Sequence, residues 1–453
     1  MPDRARPLVA PIYLLACLLL GGSAQGVWQN AFLQLAGIGL IAWAAAEGSR
    51  EELLPSARQL LLIAVAAIAV IAAQLIPLPM SIWSHGPRAT VAEGFRLFGS
   101  MPKAMPLSLA PYSTLAALFA LIPGLAMLCA MVGLKAYRPR WLSAALVAGT
   151  FAGILLGALQ VTSADPEQSP WYLYPETNFS FGVGFFANAN HMATLLVITL
   201  PFLAALSAAG RTANLQRYSA LLSIIIGAAL VTVVGIFLNG SIAGYVLVVP
   251  VAVACALIII PHQSRVRSAI VLVGGLLLVA AVIALASSSI GSTAVGKETA
   301  GSVQSRAEIL STTSHAIADF MPWGSGVGTF KQTYPLYEQL DHVTPTYVIH
   351  AHNEYAEIAL EAGIPGIVLL ALFLAWWGAA VWRVWRTAEA GPFERAASVA
   401  SGAILIHSLV DFPLRTGAIS AAFAMCLALL AGNRAQRPAE ASDLRPTRHV
   451  VLR

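Results

Sequence analysis

Runs of about twenty apolar residues follow one another along most of this chain, the length an α-helix needs to cross a bilayer's hydrocarbon core. Twelve such runs can be marked, at 8–25, 28–46, 58–77, 112–134, 141–160, 188–209, 217–238, 241–260, 268–287, 363–382, 394–412 and 414–432. Backbone N–H and C=O groups in lipid must be satisfied within their own segment, so these runs predict helices. The expected fold class is all-α: a polytopic membrane protein with about 12 transmembrane helices and one long outer loop containing short helices. Only 10% of the residues are charged, against about 25% in soluble domains, so a count of soluble domains does not apply. Arg4 and Arg6 precede the first run as they would in a signal peptide. A second run follows at once, so the first is expected to be a retained span. Residues 1–432 read as a single transmembrane domain. Residues 433–453, with five arginines and no apolar period, read as a disordered cytoplasmic tail within reach of anionic lipid.

Basic residues choose the orientation, because Lys and Arg accumulate on the cytoplasmic side. With the N-terminus inside, 19 of the 26 Lys and Arg fall on inner segments, and both termini are cytoplasmic. The outer side keeps Arg88, Arg96, Lys103, Lys297, Arg306, Lys331 and Arg415. It also keeps the three long loops, 78–111, 161–187 and 288–362. The formal charge of +5 is scattered singly between spans and is no signal for nucleic acid. Cys17, Cys129, Cys255 and Cys426 lie in separate apolar runs without metal-ligand spacing, which predicts buried thiols and neither disulfides nor a metal.

The polar, ionisable stretch from Arg306 to Gly366 stands out in so apolar a chain, and ionisable residues beside spans mark where a membrane protein works. Residues 303–320 predict a helix ended by Pro322 and Gly324-Ser-Gly-Val-Gly328. That glycine run lacks the Lys-Ser/Thr of a nucleotide loop and reads as a flexible turn at the outer surface, with a phosphate approach as the alternative. A second helix is expected from near His352, with Glu354, Glu357 and Glu361 sharing one face: a solvated face is the plainer reading, a carboxylate that orients His352 or meets a sugar hydroxyl the alternative. His352 at a helix start stays neutral and can take a proton as a general base; His350 could do the same work or orient the loop. Arg306 either pairs with Glu308 or Asp319 or clamps a phosphate with its guanidinium fork. Asn188-Ala-Asn190-His191 opens a run on the same side, with an Asn as helix cap the plainer reading. Asp411 and Arg415 around Pro413 suggest a local ion pair that His407 could join. Catalytic candidates are therefore His352 and Arg306; His350, Asn353, Glu357, Asn190, His191 and Arg415 are candidates for binding substrate. No metal or other cofactor is expected. Ionisable groups are sparse at mid-span, which argues against an ion-coupled transporter.

In order along the chain, several stretches resemble the O-antigen ligase/polymerase superfamily of bacterial membrane glycosyltransferases. They are Gln74-Leu-Ile-Pro-Leu-Pro79 with Trp83, Pro106-Leu-Ser-Leu, Asn188-Ala-Asn190-His191 and Arg306. The series continues with Pro322 to Phe330, His350-Ala-His352-Asn353 through Gly366, and His407-Ser408 with Asp411-Phe-Pro-Leu414. The resemblance implies a metal-independent transfer, on the periplasmic face of the inner membrane, of a glycan from undecaprenyl diphosphate to an acceptor hydroxyl. The acceptor would be lipid A–core, a growing glycan or a protein serine. It gives Arg306 the diphosphate and His352 the acceptor hydroxyl. A second arginine common in the family is replaced here by Ile242. The partners implied are the lipid-linked glycan, its acceptor and membrane lipids, with no nucleic acid. Ligase and polymerase are not separable at this stage; a polysaccharide transporter is the rival from another class, and a membrane scaffold a third.

Overall fold

A computed structural model describes residues 5–24, 26–47, 53–211, 214–260, 294–339, 347–387 and 390–432, with Val266, Ala269 and Val273. The run at 268–287 and the tail from 433 otherwise fall outside the described residues, as do the side chains of 294–304. Helices occupy the expected runs: α1 (Val9–Leu20), α2 (Trp28–Glu47) and α3 (Pro55–Ala73). The run at 112–134 is two helices, α6 (Pro111–Ala120) and α7 (Ile122–Val132). Pro123, with no N–H to donate, opens the second of them. α8 (Pro139–Val161), α9 (Ala189–Gly210), α10 (Leu215–Asn239) and α11 (Ile242–Ile259) follow. Among the described residues eight helices are long and apolar enough to cross a membrane, and two shorter apolar helices flank them, so the structure is that of an all-α polytopic membrane protein.

The loop at 78–111 holds the one two-stranded ribbon among the described residues. Strand β1 (Pro77–Pro79) pairs antiparallel with β2 (Ala104–Pro106), enclosing α4 (Met80–Trp83) and α5 (Arg88–Leu97). In the longest loop, α12 runs Ala294–Phe320, starting earlier than 303 because its first turns, Ala294 to Ser302, carry no apolar stripe to announce a helix. A single turn, α13 (Phe330–Thr333), leads on. The next helix, α14 (Glu354–Arg386), starts two residues after His352, where the side chain of Asn353 accepts the N–H of Ala356 and caps it. The span expected at 363–382 is its continuation beyond a break at Gly363, whose φ of 56° and ψ of −147° suit glycine alone. A Cβ there would overlap the carbonyl of Pro322. The last helices are α15 (Pro392–His407) and α16 (Gly417–Ala431), joined by an extended stretch and a 3-10 turn at Pro413–Arg415.

α9 is the hub. Almost all of its side chains are buried, and it packs against α8, α10, α11 and α15. A helix apolar on every face belongs inside a bundle. The first residues of α9, α11 and α14 and the last of α15 therefore meet at one end of the bundle. Helix ends leave four N–H or C=O groups unpaired. That end is where polar side chains are needed, and it is where this chain places them.

Candidate active site

Asp411, in the connection between α15 and α16, lies at the centre of the meeting helix ends and is fully buried. Its Oδ1 accepts the backbone N–H of Phe412 at 2.9 Å. The same oxygen is 3.4 Å from Nδ1 of His352 and 4.0 Å from Nε2 of His191. Its Oδ2 accepts from Nδ2 of Asn190 and lies 4.0 Å from the guanidinium of Arg306. Asn190 in turn accepts the Ser241 hydroxyl at 2.7 Å, so both ends of its amide are committed. The N-cap hydroxyl of α11, the first turn of α9 and the α15–α16 connection are thus bonded in series.

Burial alone would raise the Asp411 carboxyl. The neighbouring imidazole of His352, with those of His191 and His407, overrides it and holds the group well below the usual carboxylate range. His352 is held in the left-handed region at φ 48°, a conformation a histidine keeps only when its surroundings dictate it. They do: on one side Asn353 bonds the carbonyl of Leu409, and Glu354 N–H bonds the carbonyl of Ser408. The rings of His191, His350 and His352 pack around Phe412, with centroids at 5.1, 4.1 and 5.1 Å. The His352 and Arg306 side chains are 27% and 31% exposed against 1% for Asp411, so the first two open toward the outside of the site and the third does not.

A second charged group lies behind. Glu357 takes Nδ1 of His350 at 2.9 Å, the Arg415 guanidinium at 3.0 Å and the Ala351 N–H at 3.1 Å. Glu361 takes Arg415 at 3.2 Å and the Phe330 N–H at 3.1 Å, and Glu354 takes the Leu414 N–H at 2.8 Å. Burial would lower the Arg415 pKa, but Glu357, Glu361 and Glu354 hold it above its ordinary value. The three glutamates do share a face, as their spacing requires. That face is buried rather than solvated, because Arg415 and the backbone N–H groups of three loops replace water.

Other expectations are corrected. Asp411 and Arg415 do not pair with each other; Pro413 turns the chain so that each finds partners on opposite sides of it. Arg306 lies beside Asp411, while Asp319 accepts the Tyr337 hydroxyl at 3.0 Å. Gly324-Ser-Gly-Val-Gly328 is a locked junction and not a flexible turn. Arg88 donates to Gly324 O at 2.6 Å and to Leu107 O, Gln74 accepts the Val327 N–H at 2.8 Å, and a Cβ at Gly326 would collide with Ser108. Burial lowers the Arg88 guanidinium from its ordinary pKa, and its backbone bonds make it a staple for the junction. Asn188 caps α9 as the plainer reading had it. Asn353 likewise spends its amide on the α14 cap and Leu409.

Of the sequence candidates, His352, Arg306, Asn190 and His191 gather around Asp411, and His350, Glu357 and Arg415 form the group behind. Sequence reasoning missed Asp411 as the centre and Ser241 as a member. An acidic residue between two apolar spans was the available signal for the first. Nothing in the sequence paired Ser241 with Asn190. Ile242 directly follows Ser241. Among the described residues no group of His, Cys, Asp or Glu side chains is arranged to hold a metal ion.

Residues 227–371 match the family model described as O-Antigen ligase, a stretch that includes Ser241, Arg306, His350, His352, Glu357 and Glu361. Asn190, His191, Asp411 and Arg415 lie outside it and reach the site through the fold. No curated protein matches the chain.

Proposed function

The chain carries a domain of the O-antigen ligase/polymerase superfamily, and from that premise we propose that it transfers a glycan from undecaprenyl diphosphate to an acceptor hydroxyl on the periplasmic face of the inner membrane. The observation that carries this reading is His352 facing buried Asp411 with Arg306 against the other carboxylate oxygen. A carboxylate at Nδ1 favours the tautomer with its proton on Nδ1 and leaves the Nε2 lone pair free. Nε2 then takes the acceptor's hydroxyl proton as the oxygen attacks the anomeric carbon. The bond from that carbon to the diphosphate oxygen breaks, and the electron pair leaves with the diphosphate. Arg306 stabilises the charge that develops there. Asp411 stabilises the imidazolium until its proton is returned to solvent.

His352→Ala is expected to lower transfer by about 10²–10⁴-fold, the usual worth of a positioned general base. Arg306→Ala should slow it by about 10²-fold or more, as loss of a charge-stabilising donor does. Both are read with purified protein and lipid-linked glycan, without nucleotide or an ion gradient. Full transfer by both variants, with expression matched, would overturn the site. The acceptor separates the ligase reading from a polymerase. A deletion strain that accumulates long lipid-linked glycan without attachment indicates ligation to lipid A–core; one that retains single repeat units indicates polymerisation.

Asn190 gives a finer test of the same geometry. Asn190→Asp sets a carboxylate against Asp411 and deprives it of a donor, whereas Asn190→Ala only removes the donor. The aspartate variant is expected to be the slower enzyme, and to recover toward the alanine variant as acidification protonates the added carboxyl. Equal rates across the pH range would show that Asn190 does not govern Asp411.

A further inference from the structure

The hairpin between α3 and α6 carries an apolar tip that no other part of the described residues covers. Leu97, Phe98 and Met101, at the end of α5 and just beyond it, are 78, 87 and 49% exposed, and Ile82 on α4 is equally open. The base of the hairpin, by contrast, is fixed. β1 and β2 are paired, the Trp83 indole N–H bonds Pro106 O at 2.6 Å, and Arg88 is buried against Leu107, Gly324 and the ring of Phe320. A segment this well held at its root does not expose three large apolar side chains at its tip through looseness.

The hairpin is tied to two membrane-crossing helices by short links. Three residues separate the end of α3 from β1, and four separate β2 from α6. At no more than about 3.5 Å per residue, its root stays within about 15 Å of both span ends. α5 itself reaches only about 15 Å further. The hairpin tip is thus held within about 30 Å of the span ends, a tether short enough to keep the headgroups in reach. The exposed apolar band of the spans, Leu62 and Val65 on α3 and Tyr112, Leu115 and Phe119 on α6, continues into Ile76 and Ile82 at the hairpin's root. Arg96 and Lys103 flank the tip in sequence, with Arg96 paired to Glu93.

We propose that the tip Leu97-Phe98 and Met101 inserts among the phospholipids of the leaflet adjoining the site, making the hairpin an in-plane membrane anchor. Apolar side chains on a polar-backed helix at a bilayer surface bury in this manner. The anchor is coupled to the site by Arg88, which bonds the carbonyl of Gly324 in the junction that also holds Glu361. The proposal does not depend on the transfer reaction.

Phe98→p-benzoylphenylalanine in the full chain tests it. The protein is reconstituted in vesicles of phosphatidylethanolamine and phosphatidylglycerol, irradiated, and weighed intact by mass spectrometry. The same substitution at Leu62 marks a lipid-facing site, and at Glu167 an exposed polar loop. Phospholipid adducts at Phe98 at about half the Leu62 yield or more are expected. Adducts at Leu62 with none at Phe98 above the Glu167 background would overturn the anchor. So would a cross-link from Phe98 to a second protein chain in place of lipid. If the Phe98 variant does not survive purification, the substitution at Leu97 reads the same contact.

Discussion

Asp411→Asn is expected to lower transfer by roughly 10³–10⁴-fold, although no substrate touches the residue. The change keeps the shape and removes the charge. An amide can turn its NH₂ toward His352, which then holds its proton on the wrong nitrogen; loss of the orienting carboxylate from a histidine pair costs on this order. Since the two groups act as one unit, Asp411→Asn combined with His352→Ala should be little slower than either change alone. Multiplying effects would show that they act separately. The carboxyl also carries a stability signature. The folded state holds its proton less tightly than the unfolded chain does. Its contribution is therefore complete above the unfolded carboxyl range near pH 4 and is lost as pH falls toward the folded value. On acidification from about pH 5 to pH 2, the thermal unfolding temperature should fall more steeply for the native protein than for Asp411→Asn.

The largest effect on stability is expected at Arg415. Arg415→Met leaves Glu357 and Glu361, each 1% exposed, without their shared cation, and Glu354 beside them. Breaking a buried pair by removing one partner costs about 3–5 kcal/mol, because the remaining charge cannot find water. Unfolding in detergent should register that loss as a lower Tm. Adding Glu361→Gln to Arg415→Met removes one stranded charge and should restore part of it. An unchanged Tm in Arg415→Met would mean that the glutamates are protonated or hydrated and that the guanidinium is not their counter-ion. Activity should fall as well, because Glu357 also orients His350 and Glu361 holds Phe330.

The all-α membrane architecture and most of its apolar helices were legible because length and apolarity alone decide whether a segment can sit in lipid. That His352 and Arg306 would lie in a polar group could be anticipated because ionisable groups are few in so apolar a chain. Other features depended on distance in space. Glu354, Glu357 and Glu361 looked like a wet face, since helical spacing reports which side chains share a side and not what that side meets. The neighbours of Asp411 come from four separate parts of the chain, so its position four residues before Arg415 suggested the wrong partner. Gly324 to Gly328 resembled a flexible turn because the side chains that lock it, Gln74, Arg88 and Ser108, lie more than two hundred residues earlier.

The break at Gly363 separates two jobs that one continuous helix would have tied together. In an unbroken helix each added or lost residue turns everything beyond it by about 100°. A change in the span after Gly363 would then have swung Glu354, Glu357 and Glu361 away from Arg415. Here the glutamate-bearing segment is keyed to the 322–330 junction, where the Ser325 and Gly326 N–H groups donate to Leu360 O and Glu361 O. The membrane-crossing part can vary in length and helical phase to suit bilayers of different thickness while the charged segment keeps its rotation.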